Sequence, residues 1–206
     1  RDVPASGNPA LLKQKKELLN KKLINGDKKI RELIIKDGSS SKKNTFAPKP
    51  IARWTFDVDL KDQIGNLHGK AINGAKIHDG ALELDGKKSY VMTNSINSNI
   101  KEKTLESWVK LNNLNQQGGA AMSLQSNDGR AFNAIVFGER EPNRWMAGSE
   151  GYKRTQSFGG EEEKAAKDQF IHIAIVYQED GTITGYRNGK PYGKSYKADP
   201  LKINSG

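Results

Sequence analysis

From residue 51 onward the sequence is a succession of short apolar or alternating runs, each closed by Gly, Asn or Asp, and no other feature restricts the fold as much. The runs are IARWTF at 51–56, ALEL at 81–84, SYVM at 89–92, TLESWVKL at 104–111, AAMSLQ at 120–125, AFNAIVF at 131–137, FIHIAIVY at 170–177 and TITGYR at 182–187. Strands at this spacing, with no helical stretch between them for parallel crossovers, build an antiparallel sandwich or barrel. Asn188-Gly189, between TITGYR and KPYGKSY, is the strongest hairpin turn in the chain, because both residues tolerate positive φ. FIHIAIVY is apolar on both faces: Ile171, Ile173, Ile175 and Tyr177 on one, Phe170, Ala174 and Val176 on the other. Such a strand needs a cover on its second face. The segment 148–168 is preferred for that cover over the N-terminal helix.

Residues 9–35 read as helix, with Asn8 as a cap and Pro9 in the first turn. Leu12, Lys16, Leu19, Leu23, Gly26, Ile30 and Leu33 form a seam at alternating steps of four and three. Asn25-Gly26-Asp27 leaves open whether residues 1–36 are one helix or a helical hairpin. Residues 37–50 are a small, polar, proline-bounded linker, and the sandwich domain is expected over 51–206. The start at RDVPASGNPA, without Met or an apolar leader segment, reads as a piece of something longer.

The net charge of +10 suggests nucleic acid, but its distribution argues against that. Residues 1–50 hold 13 of the 34 Lys and Arg and 5 of the 24 Asp and Glu, so the domain itself is close to neutral. The first 45 residues contain no aromatic side chain on which bases could stack. A solvated Lys-rich helix face is the plainer reading. The chain has no Cys, which removes disulfides, thiol nucleophiles, CxxC zinc sites and covalent haem attachment. No run of about 18 apolar residues exists, so no membrane insertion is expected.

An ordered set of motifs narrows the fold further. W-x-F-D at 54–57, D-x-x-G-N at 62–66 and H-G at 68–69 are followed by D-G-x-L-x-L-D-G at 79–86 and Y-V at 90–91. T-L-E-x-W-V at 104–109, H-I-A at 172–174 and Y-x-N-G at 186–189 complete it. Together they resemble the laminin-G-like branch of the concanavalin A-like lectin/glucanase superfamily over about residues 51–203. The resemblance implies an all-β jelly-roll sandwich of two antiparallel sheets, here preceded by the N-terminal helical segment. It places Trp54 and Trp108 in the core, with Phe170 as a core replacement for the Trp often found there. The stretch IVFGEREPNRWMAGSEGYKRTQ at 135–156 is similar to the laminin-G-like module embedded in planctomycete-type multidomain proteins with cytochrome-c-like domains. That likeness implies a haem-free piece of a secreted or envelope-associated, extracytoplasmic protein, with neighbouring domains of the parent as partners.

The candidate chemistry follows. Hydrolase relatives use E-x-D-x-x-E on one strand face. Here Glu83-Leu84-Asp85 is followed by Gly86-Lys87-Lys88, so the third carboxylate is missing and no catalytic residue is assigned. The three His show no metal-ligand spacing, and Glu106 and Lys110 read as exposed sheet positions. No cofactor is required, although Asp57, Asp59 and Asp62 crowd one turn and are of a type that suits a structural calcium. The densest group of recognition residues is Glu139, Arg140, Glu141, Arg144, Trp145, Tyr152, Arg154 and Gln156. Trp145 would stack on a sugar, with the planar charged groups around it. Glu161-Glu162-Glu163 reads as a solvated loop. Two functions are expected to compete: a non-catalytic, lectin-like module binding polysaccharide through Trp145, and a structural interaction module packing neighbouring domains. A glycosidase is the remote third. An exposed Trp145 would favour the first, a buried one the second.

Overall fold

The computed structural model describes residues 49–201, together with Gln14, which is helical; the 9–35 helix or hairpin otherwise falls outside the described residues. The chain divides into two compact units, Arg1–Pro50 and Ile51–Gly206, and only the second is described further.

The second unit is all β. It opens with two small antiparallel pairs, made from β1 (Lys70–Ile72), β2 (Lys76–His78), β3 (Ala81–Glu83) and β4 (Tyr90–Met92): β1 pairs β4, and β2 pairs β3. Next come β5 (Lys103–Val109), β6 (Ala120–Gln125), β7 (Phe132–Phe137), β8 (Trp145–Ser149), a short 3-10 turn at Glu150–Tyr152, β9 (Ile171–Tyr177), β10 (Thr182–Arg187), β11 (Lys190–Pro191) and β12 (Tyr196–Lys197). One sheet runs β11-β10-β9-β5, with β12 also on β10; a three-stranded sheet runs β6-β7-β8. All these pairings are antiparallel, as a jelly-roll sandwich requires.

The inner faces meet in one core. β9 contributes Ile171, Ile173, Ile175 and Tyr177, β5 Leu105 and β10 Ile183; the facing sheet contributes Ile135, Phe137, Trp145 and Ala147. On each strand these residues sit two apart, on one face. β7 is buried on both faces, and its other side, Ala134 and Val136, joins Met146 in a second small cluster. The Asn188-Gly189 turn forms as expected: both residues have positive φ, and Arg187 pairs with Lys190 across the two-residue loop.

Three expectations change. The run IARWTF at 51–56 is not a strand; the Asp62 carboxylate organises this region instead, accepting the N–H groups of Arg53, Ile64 and Leu67. The site segment 145–149, not recognised as a strand in the sequence, is β8. The 148–168 segment, whose first two residues end β8, covers β9 on the first face and not the second: Phe158 and Ala166 pack in the same cluster as Ile171, Ile173 and Ile175. Phe158 also abuts Gly185 on the inner side of β10. The second face of β9 gains nothing from this segment.

Gly193 fixes where this segment lies. Its φ is 72°, and a Cβ there would collide with the carbonyl of Phe158, which also accepts the Lys194 N–H at 2.7 Å. Gly86 has a φ of 66° but open space around the Cβ position. Gly86→Ala is expected to lose only the left-handed strain, about 1–2 kcal/mol. Gly193→Ala should lose clearly more in urea unfolding, and equal losses would show that the segment is not seated as described.

Candidate functional site

The eight recognition candidates do not form one site. Asn143, with a φ of 56°, turns the chain between β7 and β8 as its position after Pro142 suggests, and Gly138 donates across the turn to the Arg144 carbonyl. That turn directs Trp145 inward. Trp145 is 2% exposed, its ring lies 4.9 Å from Phe137 at a tilt of 56°, and its Nε1 donates to Glu163 at 2.9 Å. A ring so enclosed has no free face for a sugar, which removes the platform that the sequence suggested.

Arg154 is buried too. It donates through Nε to Asn133 Oδ1 at 3.1 Å and through Nη2 to the Phe132 carbonyl and the Glu150 carboxylate. It is a strut between β7 and the 3-10 turn. Arg144 donates to the Gly160 carbonyl and lies near Glu141 and Glu162, while Glu141 accepts from Ser157. Gln156 meets the β12 backbone at Lys197. Only Arg140 and Tyr152 remain as an exposed pair, with the guanidinium 5.3 Å from the ring centroid. Burial pushes the Glu139 carboxyl up despite the neighbouring Arg140, and its Oε2 is buried without a partner.

The central residue of this region is one the sequence reading placed in solvent. Glu163 is 2% exposed, not part of a solvated acidic run. Its carboxylate accepts both Nε and Nη2 of Arg187 at 2.8 and 2.9 Å, the Trp145 indole N–H, and the backbone N–H groups of Ala165 and Ala166. Burial pushes the Glu163 carboxyl up, but these donors outweigh it and hold the pKa at about 2. No local pattern marks Glu163, since Arg187 lies 24 residues away on β10.

The aspartates behave as turn residues. Asp62 is buried, and desolvation opposes its ionisation, yet the backbone N–H donors keep its carboxyl below the usual range. Asp59 accepts from the Lys61 N–H. Among the described residues no group of three or more His, Cys, Asp or Glu side chains is arranged to hold a metal. Glu83 pairs with Lys76 and His78, and Asp85 accepts the N–H groups of Lys87, Lys88 and Ser89, which makes it the turn its Gly neighbour implied.

The outer face of the five-stranded sheet carries the exposed chemistry. Trp108 is 66% exposed and Phe170 50%, both assigned to the core in the sequence reading. Strand alternation explains Trp108: Leu105, Ser107 and Val109 of β5 point inward, so Glu106 and Trp108 point out. Trp108 pairs with His172 in the β5–β9 register, and the rings lie 5.2 Å apart at 49°. Glu106 Oε2 is 3.7 Å from His172 Nε2. Asn188 Oδ1 accepts the His172 N–H at 3.0 Å, and the Asn188 N–H donates back to the His172 carbonyl at 2.8 Å. Trp108, Gln169, Phe170, His172, Asn188 and Gly189 line an open depression of about 470 Å³. An aromatic face ringed by amides, an imidazole and a carboxylate can stack on C–H groups and exchange hydrogen bonds with hydroxyls.

Two antiparallel sheets packed face to face, one bearing an exposed aromatic depression, define a lectin-like or protein-interaction sandwich. The chain belongs to the Laminin_G_3 family of the concanavalin A-like lectin/glucanases superfamily, which it matches over residues 85–206. No curated protein and no solved structure matches it. Among the described residues, no helix is long and apolar enough to cross a membrane.

The Glu163 network has a pH signature. Its carboxyl is depressed in the folded state, so its contribution is complete above the ordinary Glu value of 4.5 and is lost as pH falls from there to about 2. The loss is on the order of 3 kcal/mol. Glu163→Gln should be less stable at pH 7 and flatter in its pH dependence between 5 and 2, measured by urea unfolding. Parallel pH curves for the two proteins would refute the assignment.

Proposed function

We propose that this domain is a non-catalytic carbohydrate-binding module whose site is the Trp108 depression, not the segment around Trp145. The observation that carries the reading is the exposure of Trp108 on the outward face of β5, beside its cross-strand partner His172. The partners around it, His172 with its backbone bonded to Asn188 and its ring beside Glu106, support recognition rather than simple packing. The candidate carboxylates Glu83 and Asp85 are engaged in a strand pair and a turn, which supports binding without hydrolysis. An extracytoplasmic setting within a larger protein fits a module of this kind.

The second reading is a protein-interaction module that packs neighbouring domains of its parent. Burial of Trp145 favours it, because that residue was the sugar platform in the first hypothesis.

A glycan array of neutral and sulfated polysaccharides at moderate salt separates the two. Salt-resistant binding to a defined sugar, weakened at least about tenfold, or roughly 1.4 kcal/mol, in Trp108→Ala, is expected. Binding that disappears at moderate salt would be polycation behaviour of the Lys-rich N-terminal residues. Silence across the array would favour the interaction module.

A further inference from the structure

We propose that the ligand is an uncharged linear polysaccharide, held along its chain in a trough over β9; this rests on the carbohydrate reading above. β9 lies between β5 and β10, so its outward residues form the floor and theirs the walls. The register sets Trp108 beside His172, then Glu106 and Tyr186 on either side of Ala174, then Thr104 and Thr184 on either side of Val176. Ala174 is the smallest side chain of the set and sits low between Glu106 and Tyr186, themselves exposed and half-buried. The trough therefore continues past the aromatic depression. At about 3.3 Å per residue, the low Ala174 row lies about 7 Å from Trp108. The Thr104 row, where Val176 matches its threonine neighbours in size, ends the trough at about 13 Å. A single sugar ring over Trp108 fills one end only; a chain reaches Tyr186.

The charge of the trough argues for a neutral chain. None of the six residues lining the depression is Lys or Arg. Glu106 and Lys110, two positions either side of Trp108 on the same outward face, carry opposite charges. Residues 51–206 carry 21 Lys and Arg against 19 Asp and Glu, so this unit offers an acidic polysaccharide little excess positive charge of its own. Asn188 supplies directionality: its Oδ1 is occupied by the His172 N–H, which leaves its NH2 group to donate to a ligand oxygen. Its orientation is fixed before any ligand arrives, so little is lost in ordering it.

The test is calorimetric titration of the full chain with neutral gluco-, manno-, xylo- and galacto-oligosaccharides of one to six units, at 0.15 and 0.5 M NaCl, with heparin as the acidic comparison. Acrylamide quenching of Trp108, read against Trp108→Phe, is run alongside. One neutral series should bind at least tenfold tighter as hexamer than as monomer, unchanged by salt. Trp108→Ala should remove binding at every length. Tyr186→Ala should weaken the hexamer but not the monomer, and Asn188→Asp, which keeps the turn and its acceptor, should weaken both. Trp108-dependent binding that ignores length would overturn the chain reading and leave carbohydrate recognition standing. A preference for heparin that survives 0.5 M NaCl would overturn neutrality alone. No sugar binding, with Trp108 open to quencher, would overturn the carbohydrate reading and this inference together. A quencher-shielded Trp108, or a dimer lost in Trp108→Ala, would assign the face to another protein surface.

Discussion

A carboxylate inside a sandwich costs several kcal/mol unless its lone pairs are used and its charge is matched. Glu163 meets both conditions through five donors drawn from three places: the Arg187 fork on β10, the Trp145 indole on β8, and the backbone of its own loop. One side chain thereby ties the three-stranded sheet, the five-stranded sheet and the long connection between β8 and β9. Its backbone N–H adds a fourth tie, donating to Asn143 in the β7–β8 turn at 2.7 Å. The other buried polar groups are local by comparison. Arg154 braces β7 against the 3-10 turn, and Asp62 braces a single loop.

That clamp decides which face of the protein is free. With Phe158 and Ala166 held against the inner side of β9 and β10, the long connection is used up in closing the core. It cannot also fold over the outer side. Trp108 and Phe170 remain exposed as a consequence of the same geometry that buries Trp145. The protein thus uses one tryptophan to lock its two sheets and leaves another exposed on the outer face.

Much of this was legible in the sequence, and the failures are instructive. The strands from 104 to 187 follow alternation and turn residues closely, because both are local properties. β8 was missed: Trp145-Met146-Ala147-Gly148-Ser149 is buried on both faces and shows no alternation. The outward position of Trp108 could have been read. Glu106 and Lys110 were placed on an exposed sheet face, and a period of two puts Trp108 between them on that face. The resemblance points this residue to the core and the alternation points it to the surface; the structure follows the alternation. Glu163 is a different case. Its burial depends on Arg187 and Trp145, each far away in sequence, and in a Glu-Glu-Glu run nothing local distinguishes the third from the first two.

The two tryptophans also show why residue type alone does not locate a site. Trp145 has acidic and basic neighbours in sequence, and Trp108 has the same. What differs is how completely each ring is satisfied. Trp145 has its N–H on a carboxylate, its ring beside Phe137 and no access to solvent. Trp108 has one aromatic partner among the described residues, His172, whose backbone is held by a reciprocal pair of hydrogen bonds with Asn188. The first arrangement gains nothing from a ligand. The second is ordered but unfinished: its partners are held in place by the sheet and the hairpin turn, and the apolar surface it exposes to water can still be buried.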